Sequence, residues 1–81
     1  MKILLLEDDT RTADYVVKGL SESGHVCDAL GNGHDALFQI VHEAYDIFIV
    51  DRMTPGLDGL SVVKSARSAG VATPVLFLTA V

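Results

Sequence analysis

Acidic residues follow two separate apolar runs of the chain. Glu7, Asp8 and Asp9 come directly after residues 3–6 (ILLL), and Asp51 comes directly after residues 46–50 (DIFIV). Two carboxylates about 4 Å apart near a surface repel each other by roughly 4 kcal/mol at an effective dielectric constant of 20. A raised pKa on one of them, or a hard divalent cation such as Mg²⁺, would relieve that repulsion. An Asp beside such a cation can attack phosphorus and form an aspartyl phosphate.

A hydroxyl group at the same place would bind a further phosphoryl oxygen. Thr79 lies in the last apolar stretch, residues 74–81 (PVLFLTAV), and supplies one. Each of these residues also has a purely structural interpretation. The acids would then solvate strand ends, with Asp9 or Thr10 starting the next helix, and Thr79 would be a residue that favours strands.

The alternation of apolar patterns predicts the elements that carry these residues. Apolar runs predict strands at residues 3–6, 25–30, 46–50 and 74–81. Helical spacing predicts helices at residues 10–23, through residues 36–44 and at residues 60–69, with Gly24 and Gly70 as stops. We interpret Phe38, Phe48 and Phe77 as core residues, and place Leu60, Val63 and Ala66 or Arg67 along one side of the third helix.

This βαβαβαβ order predicts an α/β fold with a doubly wound parallel sheet. Ligands of such sheets bind beyond the carboxyl ends of the strands. If the first and third strands are neighbours, Asp8 and Asp51 meet at that edge.

Composition narrows the classes of function. The 81 residues are 49% hydrophobic and carry a net charge of -5, with six scattered basic residues, which argues against direct binding of nucleic acid. One cysteine, Cys27, fits a reducing compartment. No run approaches the roughly 20 apolar residues of a membrane span, and the first run is too short for a signal peptide. We expect a single cytoplasmic domain that does not bind membranes.

Four features together resemble the receiver domain of bacterial two-component response regulators. They are the LLLEDD segment, the DIFIVDRMTPGLDG segment, the LTA segment, and the spacings of 43 residues from Asp8 to Asp51 and 28 from Asp51 to Thr79. The resemblance implies the flavodoxin-like, CheY-like fold. It also favours the branch whose receivers precede a winged-helix DNA-binding domain, the OmpR/PhoB-like branch.

The resemblance implies roles for individual residues. Asp51 would be the phosphoacceptor, which receives its phosphoryl group from a sensor histidine kinase. Glu7, Asp8 and Asp51, together with the backbone carbonyl of Met53, would hold Mg²⁺ or another divalent cation such as Mn²⁺. The domain would be a signalling switch rather than a metabolic enzyme, and it would reach DNA only through an output domain absent from these 81 residues.

Three further positions follow from the same resemblance. Thr79 would be the switch hydroxyl, and Ala80 the small residue that leaves room beside the site. Thr54 stands where the family commonly has a bulky aliphatic residue.

The resemblance covers residues 1–81 as a partial receiver. A complete receiver has a fifth strand and two further helices, which carry a Lys that pairs with the phosphoryl group. We therefore expect a truncated fold with impaired chemistry. Its fourth strand would become an open edge, which predicts a homo-oligomer or a swapped or edge-paired dimer.

Two other classes of function remain open at this point. An Asp-nucleophile phosphatase or phosphotransferase would need a second Asp two residues after the nucleophile, and Met53 stands there. The second alternative is an interaction module that is not phosphorylated.

Overall fold

Strands and helices alternate along residues 1–78, the part of the chain that the computed structural model describes. The strands are β1 (Lys2–Leu6), β2 (Val26–Leu30), β3 (Ile47–Asp51) and β4 (Val75–Leu78). The helices are α1 (Thr10–Glu22), α2 (Gly33–His42) and α3 (Gly59–Ser68). The predicted βαβαβαβ order is therefore confirmed.

The strands form one parallel sheet in the order β2-β1-β3-β4. This order agrees with the predicted flavodoxin-like arrangement. β1 is central, and Leu4, Leu5 and Leu6 are fully buried because the sheet is covered on both faces there. The chain moves from β1 outward to β2 and then back past β1 to β3. Right-handed crossovers therefore place α1 and α2 on opposite faces.

The main core lies between the sheet and the helices α2 and α3. Leu4 and Phe48 from the sheet pack there with Ile40 of α2 and Val62 of α3. Tyr45 also joins this core, and its hydroxyl donates a hydrogen bond of 2.6 Å to the Asp28 carboxylate on β2. Burial, followed by this bond, raises the pKa of Tyr45 to about 12.

Helix ends follow the predicted signals. Asp9, Asn32 and Asp58 are the N-cap residues of α1, α2 and α3, and each accepts backbone N–H groups of its helix. Gly24 and Gly70, both at φ = 85°, follow the ends of α1 and α3. This left-handed conformation is easy for glycine and costly for other residues.

The prediction that Phe38 is a core residue is wrong. Phe38 is 64% exposed, because the buried line of α2 runs through Gly33, Ala36 and Ile40 on the opposite side of the helix. Its ring stacks on His42 instead, with ring centroids 4.1 Å apart.

The predicted side of α3 is confirmed at Ala66 and wrong at Leu60. Leu60 is 39% exposed, whereas Val62 and Ala66 are fully buried against the sheet. No helix within residues 1–78 is long and apolar enough to span a membrane.

Candidate functional site

Three carboxylates meet where β1 and β3 end. Glu7 and Asp8 follow β1, and Asp51 is the last residue of β3. One carboxylate oxygen from each lies within 4.8 Å of the other two. We call these residues the acid cluster. The prediction that acids from two strands meet at the carboxyl edge of the sheet is confirmed.

The register of β1 and β3 explains this meeting. Leu6 is paired with Val50 in adjacent parallel strands, so Glu7 and Asp51 leave the sheet side by side. The Glu7 N–H also donates to the carbonyl of Leu30 on the other neighbour, at 2.9 Å, which keeps the end of β1 in line. Glu7 and Asp51 are half-buried, whereas Asp8 is exposed.

The electrostatics of the cluster fit a bound cation. Burial raises the pKa of Glu7 above its usual value, and the negative charge of Asp51 raises that pKa further. The Asp9 N–H, which donates to the Glu7 carboxylate at 3.1 Å, acts in the opposite direction. A half-buried set of carboxylate oxygens is the kind of donor set that Mg²⁺ prefers. The acid cluster therefore suits a hard divalent cation.

Asp9 has a different task from its two neighbours. Its side chain accepts hydrogen bonds from the N–H groups of Arg11 and Thr12, at 3.0 and 3.2 Å. These bonds satisfy donors in the first turn of α1. Of the two residues predicted to start the helix, Asp9 or Thr10, the structure shows that Asp9 is the N-cap, and it does not join the acid cluster.

The segment after β3 contacts Asp51 directly. The Met53 N–H donates to Asp51 Oδ1 at 3.2 Å, while the Met53 side chain is 80% exposed. The resemblance assigns the backbone carbonyl of Met53 to the metal. The N–H of the same residue is hydrogen-bonded to the Asp51 carboxylate.

Gly59 closes the other end of this segment. Its N–H donates to the Arg52 carbonyl at 3.0 Å. A Cβ at position 59 would overlap the Asp51 backbone carbonyl oxygen and lie 2.6 Å from a methyl carbon of Val50. The predicted third helix begins at residue 60, directly after Gly59. The packing of Gly59 against Asp51 depends on tertiary structure and had no signal of its own.

Two predicted site residues, Thr79 and Ala80, lie outside the described residues. Leu78, the residue before them, is paired with Asp51 in the β3–β4 ladder.

The family model for the response regulator receiver domain matches residues 3–81. The chain belongs to this family. The predicted receiver fold and its place among two-component signalling proteins are thereby confirmed. The family assignment also disfavours the hydrolase alternative, in line with Met53 at the position where that class needs an Asp.

The curated relatives are transcriptional regulators, of the OmpR/PhoB-like type that the motifs favoured. The chain is 46% identical over 80 residues to the transcriptional regulatory protein HprR of Escherichia coli, and 40% identical to CusR of the same organism. Each match covers 99% of this chain and 35% of the relative. The chain thus spans about a third of the length of the curated relatives it matches.

Solved structures show the same fold. The receiver domain of Francisella response regulator 1452 matches with a TM-score of 0.94 and 35% identity, over 99% of this chain and 66% of that one. The response regulator TrrA of Thermotoga maritima, solved in complex with Mg²⁺ and BeF, matches with a TM-score of 0.91 and 30% identity, over 99% of this chain and 70% of that one.

Proposed function

We propose that this chain is a phosphoacceptor receiver, in which Asp51 takes a phosphoryl group from a sensor histidine kinase. The observation that carries the proposal is the acid cluster, because it places two further carboxylates beside Asp51 at the carboxyl edge of a receiver sheet. Glu7, Asp8 and Asp51, with the Met53 carbonyl, would hold Mg²⁺ or Mn²⁺. The expected setting is the cytoplasm, and the expected output is control of transcription through a separate DNA-binding domain.

The chemistry assigned to Asp51 is a simple transfer. A carboxylate oxygen attacks phosphorus, the bond from phosphorus to the donor breaks, and an aspartyl phosphate forms. The Met53 N–H orients the carboxylate through Oδ1, and the buried apolar ends of β1 and β3 hold the two sides of the site at a fixed separation. A bound Mg²⁺ would neutralise charge that develops on the phosphoryl oxygens.

Thr79 and Ala80 complete the proposal on the strength of the resemblance. The Thr79 hydroxyl would bind a phosphoryl oxygen and turn toward it on phosphorylation. Ala80 would leave space for the group.

Incubation with acetyl phosphate and Mg²⁺, followed by intact-mass measurement, tests this function. We expect one labile phosphoryl adduct that disappears in Asp51→Asn and on chelation of the metal. Asp28→Asn is the matched control, since Asp28 bonds to Tyr45, away from the acid cluster, and this variant should keep the adduct. Turnover of many equivalents of donor would instead support a hydrolase. Absence of any adduct in a version of full receiver length, which supplies the Lys that pairs with the phosphoryl group, would support an interaction module.

We also propose that the 81-residue chain self-associates through β4. Among the described residues, β4 pairs with β3 on one side only, and Leu76 of β4 is 54% exposed. An apolar edge of this kind is a template for pairing with a second copy, by edge contact or by exchange of elements. Size-exclusion chromatography with light scattering should show a dimer or larger species, and a monomer that unfolds cooperatively would contradict the proposal.

A further inference from the structure

The segment after β3, residues 52–58, rests on the turn between β2 and α2. We call it the β3–α3 loop. The Gly33 N–H donates to the Pro55 carbonyl at 3.1 Å, and a Cβ on Gly33 would overlap the Leu57 carbonyl oxygen. One residue before Leu57, a Cβ on Gly56 would lie 2.9 Å from the side-chain amide of Asn32. Three consecutive loop residues therefore lie directly on Asn32 and Gly33, the N-cap and first residue of α2.

Thr54 stabilises the β3–α3 loop through a hydrogen bond within the loop. Its half-buried hydroxyl donates to the Leu57 carbonyl at 3.1 Å. This is the carbonyl that lies against Gly33, so Thr54 and Gly33 together fix its position. Just before Thr54 in the chain, the Met53 N–H bonds to the Asp51 carboxylate. The hydroxyl is thus one residue away from the group that orients the proposed phosphoacceptor.

We infer that Thr54 is a positioning residue for the acid cluster, which acts by holding the β3–α3 loop so that Met53 faces Asp51. The inference rests on the proposed function, since it names a device that supports the same site. A threonine is suited to this role because its hydroxyl reaches a backbone carbonyl three residues ahead and closes the loop on itself. A valine has the same shape but cannot donate.

The alternative is that Thr54 contributes only to stability. Loss of the hydroxyl would then lower the free energy of unfolding while the contact between Met53 and Asp51 stayed as it is. Two readouts separate these cases. One is the affinity for Mg²⁺, and the other is the hydrogen-exchange rate of the Met53 amide, which is protected by Asp51 only while the loop keeps its shape.

The test compares Thr54→Val with Thr54→Ser and Thr73→Val in the 81-residue chain. Thr54→Ser keeps the hydroxyl. Thr73→Val is the matched control because the Thr73 hydroxyl also donates to a backbone carbonyl, that of Tyr45 at 3.5 Å, away from the acid cluster.

We expect Thr54→Val to bind Mg²⁺ about twofold to tenfold more weakly, the range set by one neutral hydrogen bond, and to exchange the Met53 amide faster by a similar factor. Thr54→Ser should stay close to the unmodified chain, and Thr73→Val should match it. The inference is overturned if Thr54→Val leaves Met53 exchange unchanged, or if Thr73→Val has the same effects as Thr54→Val.

The two proposals fail in different ways. If neither the unmodified chain nor a version of full receiver length binds Mg²⁺ or takes a phosphoryl group, the proposed function is contradicted. The exchange rate of Met53 is measured without metal or phosphodonor, so it decides the role of Thr54 in either event.

Discussion

Gly59 lies so close to Asp51 that a methyl group on its α-carbon would overlap the Asp51 carbonyl oxygen. The start of α3 is therefore packed on the backbone of the proposed phosphoacceptor. Gly59 is buried, and the neighbouring backbone cannot move aside without displacing the end of β3. A glycine here is a requirement of packing rather than of backbone conformation, because its φ is not in the left-handed region.

Gly59→Ala should destabilise the chain by about 1–3 kcal/mol, the usual cost of overpacking, and should reduce formation of the Asp51 adduct. Gly19→Ala is the matched control. Gly19 lies within α1 with open space around its α-carbon, so alanine there should stabilise by up to about 1 kcal/mol. Urea unfolding measures both effects, and equal stabilities of the two variants would contradict this account of Gly59.

Glu7→Gln should stabilise the chain at neutral pH when metal is removed by a chelator. The pKa of Glu7 is raised in the folded state, so the folded chain holds this proton more tightly than the unfolded chain does. The stability that Glu7 contributes is thus fully present below its ordinary pKa of 4.5 and is lost as the pH rises through the folded-state value. Glutamine removes this loss.

The expected difference between Glu7→Gln and the unmodified chain is therefore positive at pH 7 and disappears in acid. Thermal unfolding with chelator across this range measures it. Added Mg²⁺ should then stabilise the unmodified chain more than the variant, because the variant lacks one carboxylate ligand. A variant that is less stable than the unmodified chain at pH 7 in chelator would argue against a folded state that disfavours the Glu7 charge through burial and the nearby Asp51.

Asp8 and Asp9 should behave in opposite ways although they are adjacent. Asp9→Ala should cost about 1 kcal/mol of stability, because α1 loses its N-cap, and should leave the affinity for Mg²⁺ near that of the unmodified chain. Asp8→Ala should abolish most Mg²⁺ binding at little cost in stability. Asp9→Asn keeps a capping oxygen and serves as the control. Loss of Mg²⁺ binding in Asp9→Ala would show that capping of α1 and binding of the cation are not separate.

Tyr45→Phe should destabilise the chain by about 1–3 kcal/mol, because the half-buried Asp28 carboxylate loses its donor. Ultraviolet titration of the unmodified chain should show a phenol that ionises at about pH 12, and this step should vanish in the variant. Stability should fall as the pH rises from 10 to about 12, since the folded chain retains this proton longer than the unfolded chain. Tyr15→Phe, at a position that is 81% exposed, should have little effect on stability and should keep the step at pH 12.

The order of the strands and helices, and the proximity of the acids after β1 and β3, could be predicted from the sequence. Both depend on local patterns: uninterrupted apolar runs for buried parallel strands, and acids placed directly after them. Asp9 and the stops at Gly24 and Gly70 were predictable for the same reason, since capping is decided within a few residues.

The features that were missed depend on contacts between distant segments. Phe38 follows an apolar pattern, but α2 packs through Gly33, Ala36 and Ile40, with Gly33 against the backbone of Leu57. The bond between Tyr45 and Asp28 joins residues that no motif connects. The hydrogen bond from Thr54 to Leu57 is local in sequence. Its relevance to the acid cluster follows only from the position of the β3–α3 loop, whose Met53 N–H contacts Asp51.

The central place of β1 has a consequence for how the chain is made. β1 is the first of the described strands to be synthesised, yet its second neighbour in the sheet is β3, which ends at Asp51. At 5–20 residues per second, roughly 2 to 9 s pass between the synthesis of these two strands. For that time the apolar run of β1, which is fully buried in the folded chain, has at most one strand beside it. A nascent chain stalled before residue 51 should therefore bind chaperones at the ribosome more strongly than one that includes β3.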